Sequence, residues 1–166
     1  MRNLLIAIFL LSAIGLTGQT SDYSKSRCME YHKNHCEKST NKYYKYNSES
    51  RSGLFHKGQK SKTLLEAFNG RDYRISICHD DVFDKPIIMR VIDKTRDQVL
   101  YDNSNDNYAQ DFEFTVTTSI DLWIEIEVQG DSPLTGIDSK SIIRRDSNVG
   151  CVGLLIEYMV TPRKGF

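Results

Sequence analysis

The chain has 166 residues and 22 basic side chains matched by 22 acidic ones. Its length suits one domain of about 100–200 residues with an appendage, and a formal net charge of +0 argues against a protein built to grip phosphate backbones. Three prolines and ten glycines exclude a collagen-like or low-complexity chain.

The opening run MRNLLIAIFLLSAIGLTGQT has a basic start at Arg2, an apolar stretch from Leu4 to Ile14, and small residues after it. That is the order of a secretory signal, here expected to span residues 1–18 with cleavage after Gly18. The apolar stretch is shorter than the ~20 residues a bilayer span needs. No later stretch supplies such a span, and no cysteine sits at the cut for a lipid anchor. The expected location is therefore secreted, periplasmic or at the cell envelope, with no membrane-spanning part after cleavage.

Export changes the reading of Cys28, Cys36, Cys78 and Cys151. An even number of cysteines outside the cytosol points to two disulfides, and three pairings are open.

Residues 19–50 form a first unit, helical and basic, expected to pack on the body. Cys28, Tyr31, His35 and Cys36 share one helical face by their spacing. In a continuous helix Cys28 and Cys36 would sit ~12 Å apart at ~1.5 Å rise per residue, beyond disulfide reach, and would have to pair with Cys78 and Cys151. In a loop they could pair with each other. Charge is uneven along the chain. From Gln19 to Lys62, Lys25, Arg27, Lys33, Lys38, Lys42, Lys45, Arg51, Lys57, Lys60 and Lys62 face only Asp22, Glu30, Glu37 and Glu49, and the remainder is acidic. Halves of opposite sign are expected to fold against each other; the sharper alternative is a basic arm for an anionic partner.

Residues 51–166 read as strands. The candidates are Ser52–His56, Thr63–Phe68, Asp72–His79, Pro86–Asp93, Gln98–Tyr101, Tyr108–Thr118, Ser119–Val128 and Val152–Val160. Asn69-Gly70 supplies a turn signal. Tyr73, Ile75 and Ile77 fall on one face, with Arg74, Ser76 and Cys78 on the other. Leu122, Ile124, Ile126 and Val128 point inward, with Glu125 and Glu127 outward. Period-two alternation marks antiparallel sheets with one wet face. The expected fold is all-β, a jelly-roll-like antiparallel β-sandwich of about eight strands behind a short N-terminal helical segment. The polar stretch Gln129–Gly150 is expected to be a surface excursion, with a short edge strand at Ser141–Arg145.

The runs SRSGLFHKGQKS, NGRDYRISICHDD, QVLYDNSNDNYAQDFEFTV and GCVGLLIEYMVTPRKGF resemble a group of small secreted proteins of Gram-negative bacteria without an assigned function, over Ser50 to Phe166. The strand succession is also similar to bacterial pre-peptidase C-terminal domains and Golgi-dynamics-like sandwiches. Asp72, Tyr73 and Ile75 match their D-Y-x-I strand, and Asp102 to Asn107 match their Asp/Asn-rich turn. The resemblance implies a non-catalytic sandwich used for binding or secretion. It carries over no catalytic residue, and no protease is attached here.

Four constellations could carry chemistry. Cys28, His32, His35 and Cys36 offer zinc-type ligands, but their spacing fits no zinc finger and export favours disulfides. Asp102, Ser104 and Asp106 place oxygens at alternate positions, as calcium requires, and Asp80 and Asp81, with Asp84, could complete a site from another loop. Without the glycine and glutamate of a calcium loop, the same residues read as a hairpin turn. Glu125 and Glu127 could serve a glycosidase, or simply solvate a strand face. Trp123, beside them, could stack on a sugar or a partner, unless the N-terminal segment or the excursion covers it. No G-x-S-x-G or H-E-x-x-H motif is present. Cys78 and His79 point to opposite faces of a strand and cannot work as a nucleophile and its base. The sequence therefore points to a secreted binding or accessory module at the cell envelope, with an unidentified protein or glycan partner and no nucleic acid. The alternatives are a small glycan hydrolase and a calcium-dependent adhesion module. No catalytic residue and no cofactor other than calcium is expected.

Overall fold

The computed structural model describes residues 27–130 and 148–162. The leader and the Ser141–Arg145 strand lie outside the described residues. A single turn of helix, α1 (Tyr31–His35), precedes nine strands: β1 (Lys45–Tyr46), β2 (Arg51–His56), β3 (Lys60–Ala67), β4 (Arg71–His79), β5 (Ile87–Asp93), β6 (Gln98–Asp102), β7 (Asp111–Val116), β8 (Ile120–Val128) and β9 (Val149–Val160). They form two antiparallel sheets. Sheet A runs β1-β9-β4-β7, with β2 also on β9, and sheet B runs β3-β8-β5-β6. This is the all-β sandwich expected from the alternation, with β1 as an additional strand.

The core lies between the sheets, where the alternation sends it. Tyr73, Ile75 and Ile77 of β4 and Val152, Leu154 and Ile156 of β9 meet Leu65, Met89, Val91 and the inward set of β8. Each such side chain, fully buried, contributes about 1.5–3 kcal/mol. Tyr73 is fully buried, and its hydroxyl accepts from the backbone N–H of Phe68. Most connections cross from one sheet to the other. Asn69-Gly70 turns the chain from β3 in sheet B to β4 in sheet A, with Gly70 at φ 73. The Asp102–Asn107 stretch likewise arches from β6 to β7 and is not a hairpin, because the two strands belong to different sheets.

A buried asparagine holds that arch. Asn103 opens a single 3-10 turn and points into the protein, fully buried. Its Oδ1 accepts from the N–H of Met89, and its Nδ2 donates to the carbonyls of Ile87 and Ala109. Asn103→Ala takes this partner from two buried backbone groups and one half-buried one, so a loss of about 2–4 kcal/mol is expected. Urea unfolding with an unchanged m-value is the measurement; a loss below about 1 kcal/mol would mean water substitutes for the amide.

The outer face of sheet A over β4 and β9 is covered by the segment that runs from residue 27 to β1. Cys28 joins Cys151 on β9, and Cys36 joins Cys78 on β4. Both sulfurs of the second bridge sit over Gly153, where a Cβ would come within 2.7 Å of Cys78 Sγ and 2.9 Å of Cys36 Sγ and of His32 Cα. A side chain there would lift the segment off the strand. The helix is shorter than the spacing suggested: Cys28 lies in the turn before it, and Cys36 already has extended backbone. Because sheet A is packed on both sides, β9 reads as a nearly unbroken apolar run. On its outer side Cys151, Leu155 and Glu157 are buried, as are Arg74 and Ser76 on β4.

The same cover removes the zinc reading, since both thiols are in disulfides. His32 is buried; Nδ1 meets Ser52 Oγ at 2.5 Å and Nε2 meets the Tyr46 hydroxyl at 3.1 Å. Burial, then the nearby Lys33 ammonium, holds its pKa below the ordinary histidine value.

Candidate binding face

The outer face of sheet B is ordered by strand register. On β8 the outward residues are Asp121, Trp123, Glu125 and Glu127, alternating with the buried inward set. Pairing with β3 puts Lys60 opposite Glu127, Lys62 opposite Glu125, Leu64 opposite Trp123 and Glu66 opposite Asp121. Pairing with β5 adds Ile88, Arg90 and Ile92 to the first three of these rows. From β6, Asp102 falls opposite Arg90 and Val99 opposite Ile92. Two kinds of row result: a charged ladder, and beside it the apolar row Leu64, Trp123, Ile92, Val99.

Arg90 is the hub of the ladder. Its guanidinium donates to Asp102 Oδ2, Glu125 Oε1 and Glu127 Oε2, each at 2.8 Å. Lys60 Nζ adds a 3.0 Å pair with Glu127, and Lys62 Nζ a 3.4 Å pair with Glu125. Burial pushes the Glu127 carboxyl up, but the hydrogen bonds from Arg90 and Lys60 outweigh it and hold its pKa below the usual value. For Asp102, too, burial is outweighed, by the Ser104 N–H and hydroxyl and by Arg90. Hydrogen bonding to Glu127 in turn raises the Arg90 pKa. A glycosidase requires one carboxyl whose pKa is raised so that it can deliver a proton. This ladder drives Glu127 the opposite way and bridges Glu125 to it through one guanidinium nitrogen, so the two acids are held in a fixed, charge-compensated array.

Trp123 is half-buried in the apolar row, and the Lys94 ammonium stands 5.7 Å from its ring centroid. Lys94 also pairs with Asp121 at 2.9 Å, relieving the like charges of Asp121 and Glu66. A cavity of about 660 Å³ at the adjoining end of the sandwich is lined by Phe68, Thr95, Arg96, Ser119 and both of those acids. An indole flanked by aliphatic side chains and fixed charges can take the apolar face of a ring while hydrogen-bonding its edges.

Residues 27–50 do not cover Trp123, because both disulfides tie them to the opposite sheet; most of the Gln129–Gly150 excursion lies outside the described residues. The basic stretch nevertheless reaches the acids through Lys60 and Lys62, which are part of β3. The calcium set is not assembled. Asp102 Oδ1 accepts from the N–H and hydroxyl of Ser104, Asp106 Oδ2 accepts from the Tyr101 hydroxyl, and Asp80 Oδ2 accepts from Arg27 and the Cys151 N–H. Among the described residues no three histidine, cysteine or acidic side chains converge as metal ligands would. Arg90 was absent from the expected site. Its position in the run PIIMRVID marks an outward charge, but its partners lie 12 to 37 residues away and emerge only with strand pairing.

No protein-family model matches the chain, and no curated protein matches it in sequence. Among solved structures it is similar to Aeromonas hydrophila PliG, a periplasmic lysozyme inhibitor of g-type lysozyme. The TM-score is 0.43 and the identity 10%, over 74% of this chain and 92% of that one. Among the described residues no helix is long and apolar enough to cross a membrane.

Proposed function

We propose that this is an exported, non-catalytic binding protein of the cell envelope, and that its ligand face is the outer face of sheet B around Trp123. The observation that carries this reading is the unequal treatment of the two sheets. Sheet A has its outer face covered over β4 and β9 by a segment stapled through two disulfides. Sheet B, among the described residues, presents Trp123, Leu64 and Val99 around a buried Ile92, beside a fixed charged ladder. Disulfides of long sequence separation support folding in an oxidising compartment, as does the leader read from residues 1–18.

Trp123 is the chain's one tryptophan, so its fluorescence reports its own face. Titrating the purified exported protein with soluble cell-wall glycan fragments, or with envelope proteins, is expected to shift that emission saturably. Trp123→Ala is expected to weaken the same binding at least about tenfold, as the loss of a central aromatic anchor does. Turnover of a glycan that is abolished by Glu125→Gln or Glu127→Gln would make the protein a hydrolase and end this reading.

A further inference from the structure

A second surface, separate from the Trp123 face, lies along the open side of the sandwich. On the other side β2 and β3 are joined by a short turn around Gly58, whereas among the described residues β7 and β6 end their sheets with one neighbour each. Between these two free edges runs a groove of about 250 Å³ that reaches down to Val91 and Leu122 and is flanked by Leu100, Phe112 and Phe114. Leu100 is 51% exposed there. Phe112 stacks on Tyr101 with ring centroids 3.8 Å apart, so the groove has a rigid aromatic wall.

The chemistry of β7 is regular. Phe112, Phe114 and Val116 face the groove, while Asp111, Glu113 and Thr115 face outward and are exposed. The N–H of Ile77 on β4 donates to the carbonyl of Gln110. Hydrogen-bonded and non-bonded pairs alternate along an antiparallel ladder, so residues 112 and 114 exchange bonds with β4. The N–H and C=O groups of Asp111, Glu113 and Thr115 then point away from β4, to the free side. No bulge is present in the β4–β7 register, and β7 carries no lysine or proline of the kind that blunts an edge. Its outward charges are acidic. Arg74 approaches them at 3.3 Å and 3.7 Å, yet their side chains remain 49% and 55% exposed.

We infer that the free edge of β7 is a strand-docking site for an extended segment of a partner protein that alternates basic and apolar residues. The backbone of that segment continues sheet A, its apolar side chains enter the groove against Phe112, Phe114 and Leu100, and its basic side chains meet Asp111 and Glu113. Main-chain bonds supply affinity in this mode, and alternate side chains supply specificity. A second copy of β7 is a poor occupant, because antiparallel self-pairing brings its own acids together.

The test uses a capped octapeptide alternating lysine with valine, and the same peptide with glutamate in place of lysine, titrated into the isotope-labelled exported protein. Amide shifts at 111–116 and 98–102, with the lysine peptide preferred about fivefold or more, are expected from two cross-strand charge pairs. Thr115→Pro removes an edge N–H that β4 does not use and is expected to abolish binding. The double substitution Asp111→Asn and Glu113→Gln keeps the backbone intact and is expected to cost about fivefold, so it decides the matter even where the proline variant does not fold. Trp123→Ala is expected to leave this binding unchanged. Five results would each overturn the inference: equal affinity for both peptides, shifts centred on the Trp123 face, full binding by a folded Thr115→Pro variant, undiminished binding of the lysine peptide by the Asp111→Asn, Glu113→Gln double variant, or a peptide-free dimer that Thr115→Pro dissociates.

Discussion

Dithiothreitol should unfold the exported protein at temperatures where the oxidised form is fully native. Cys28–Cys151 closes a sequence separation of 123 residues and Cys36–Cys78 one of 42. Loop-closure entropy assigns about 5 and about 4 kcal/mol to bridges of these lengths taken singly. The two are nested, so the second constrains a chain that the first has already restricted, and their contributions do not add. Replacing either pair with alanines is expected to cost about 2–4 kcal/mol, and reducing both to remove most of the ~5–15 kcal/mol that holds a small domain together. The physical consequence goes beyond chain entropy. Once the segment lifts, Leu54 and Leu155 face water, and Arg74 and Glu157 lose their cover. Thermal melts with and without reductant, together with thiol labelling of the native protein, measure the effect. Four thiols reactive without reductant, or a midpoint unmoved by it, would contradict the stapled architecture.

The strands were legible because one physical pattern writes them. Leu122, Ile124, Ile126 and Val128 alternate with Trp123, Glu125 and Glu127 without a break, and β8 spans Ile120–Val128. Tyr73, Ile75 and Ile77 set β4 in the same way. Illegible in the sequence was the face that the N-terminal segment covers. Acids face outward on β7 and, at Glu157, on β9 as they do on β8, so charge alone offered Glu125 and Glu127 as readily as Glu113 and Glu157. The spacing of Cys28, Tyr31, His35 and Cys36 suggested a helix, but the disulfides, not helix propensity, hold this segment, and one turn suffices. Arg74 looked like any wet-face residue, and only the cover makes it a buried charge. The Asn and Asp run after β6 carried a turn signal that was real, yet a turn signal does not encode whether the chain stays in its sheet or crosses to the other. Arg90 shows the same limit at the candidate face: an outward arginine is visible in the sequence, whereas its three carboxylate partners depend on pairing across β8 and β6.

Arg74→Met should be among the most damaging single substitutions outside the core. Arg74 is 5% exposed and Glu157 7%. Nη1 of Arg74 donates to Glu157 Oε2 at 3.1 Å and to the Glu37 carbonyl at 2.8 Å, and the same Glu157 oxygen accepts from the Ser39 N–H at 2.9 Å. The pair thus ties β4, β9 and the covering segment together at one point. Desolvating two charges offsets much of their attraction, so the intact pair contributes little net stability, but removing one partner strands the other. The expected loss is about 3–5 kcal/mol for Arg74→Met alone. Adding Glu157→Leu should recover most of it, because no buried charge then remains. The double variant should still differ from the parent in the covering segment: the Glu37 carbonyl has lost its donor and the N–H of Ser39 its acceptor, so the Ser39 amide should exchange faster with solvent while those of β4 and β9 stay protected. Chemical denaturation of the three variants, with hydrogen exchange on the double one, separates these effects. A single-variant loss below about 1 kcal/mol would place the pair in water, and with it the covering segment off the sheet.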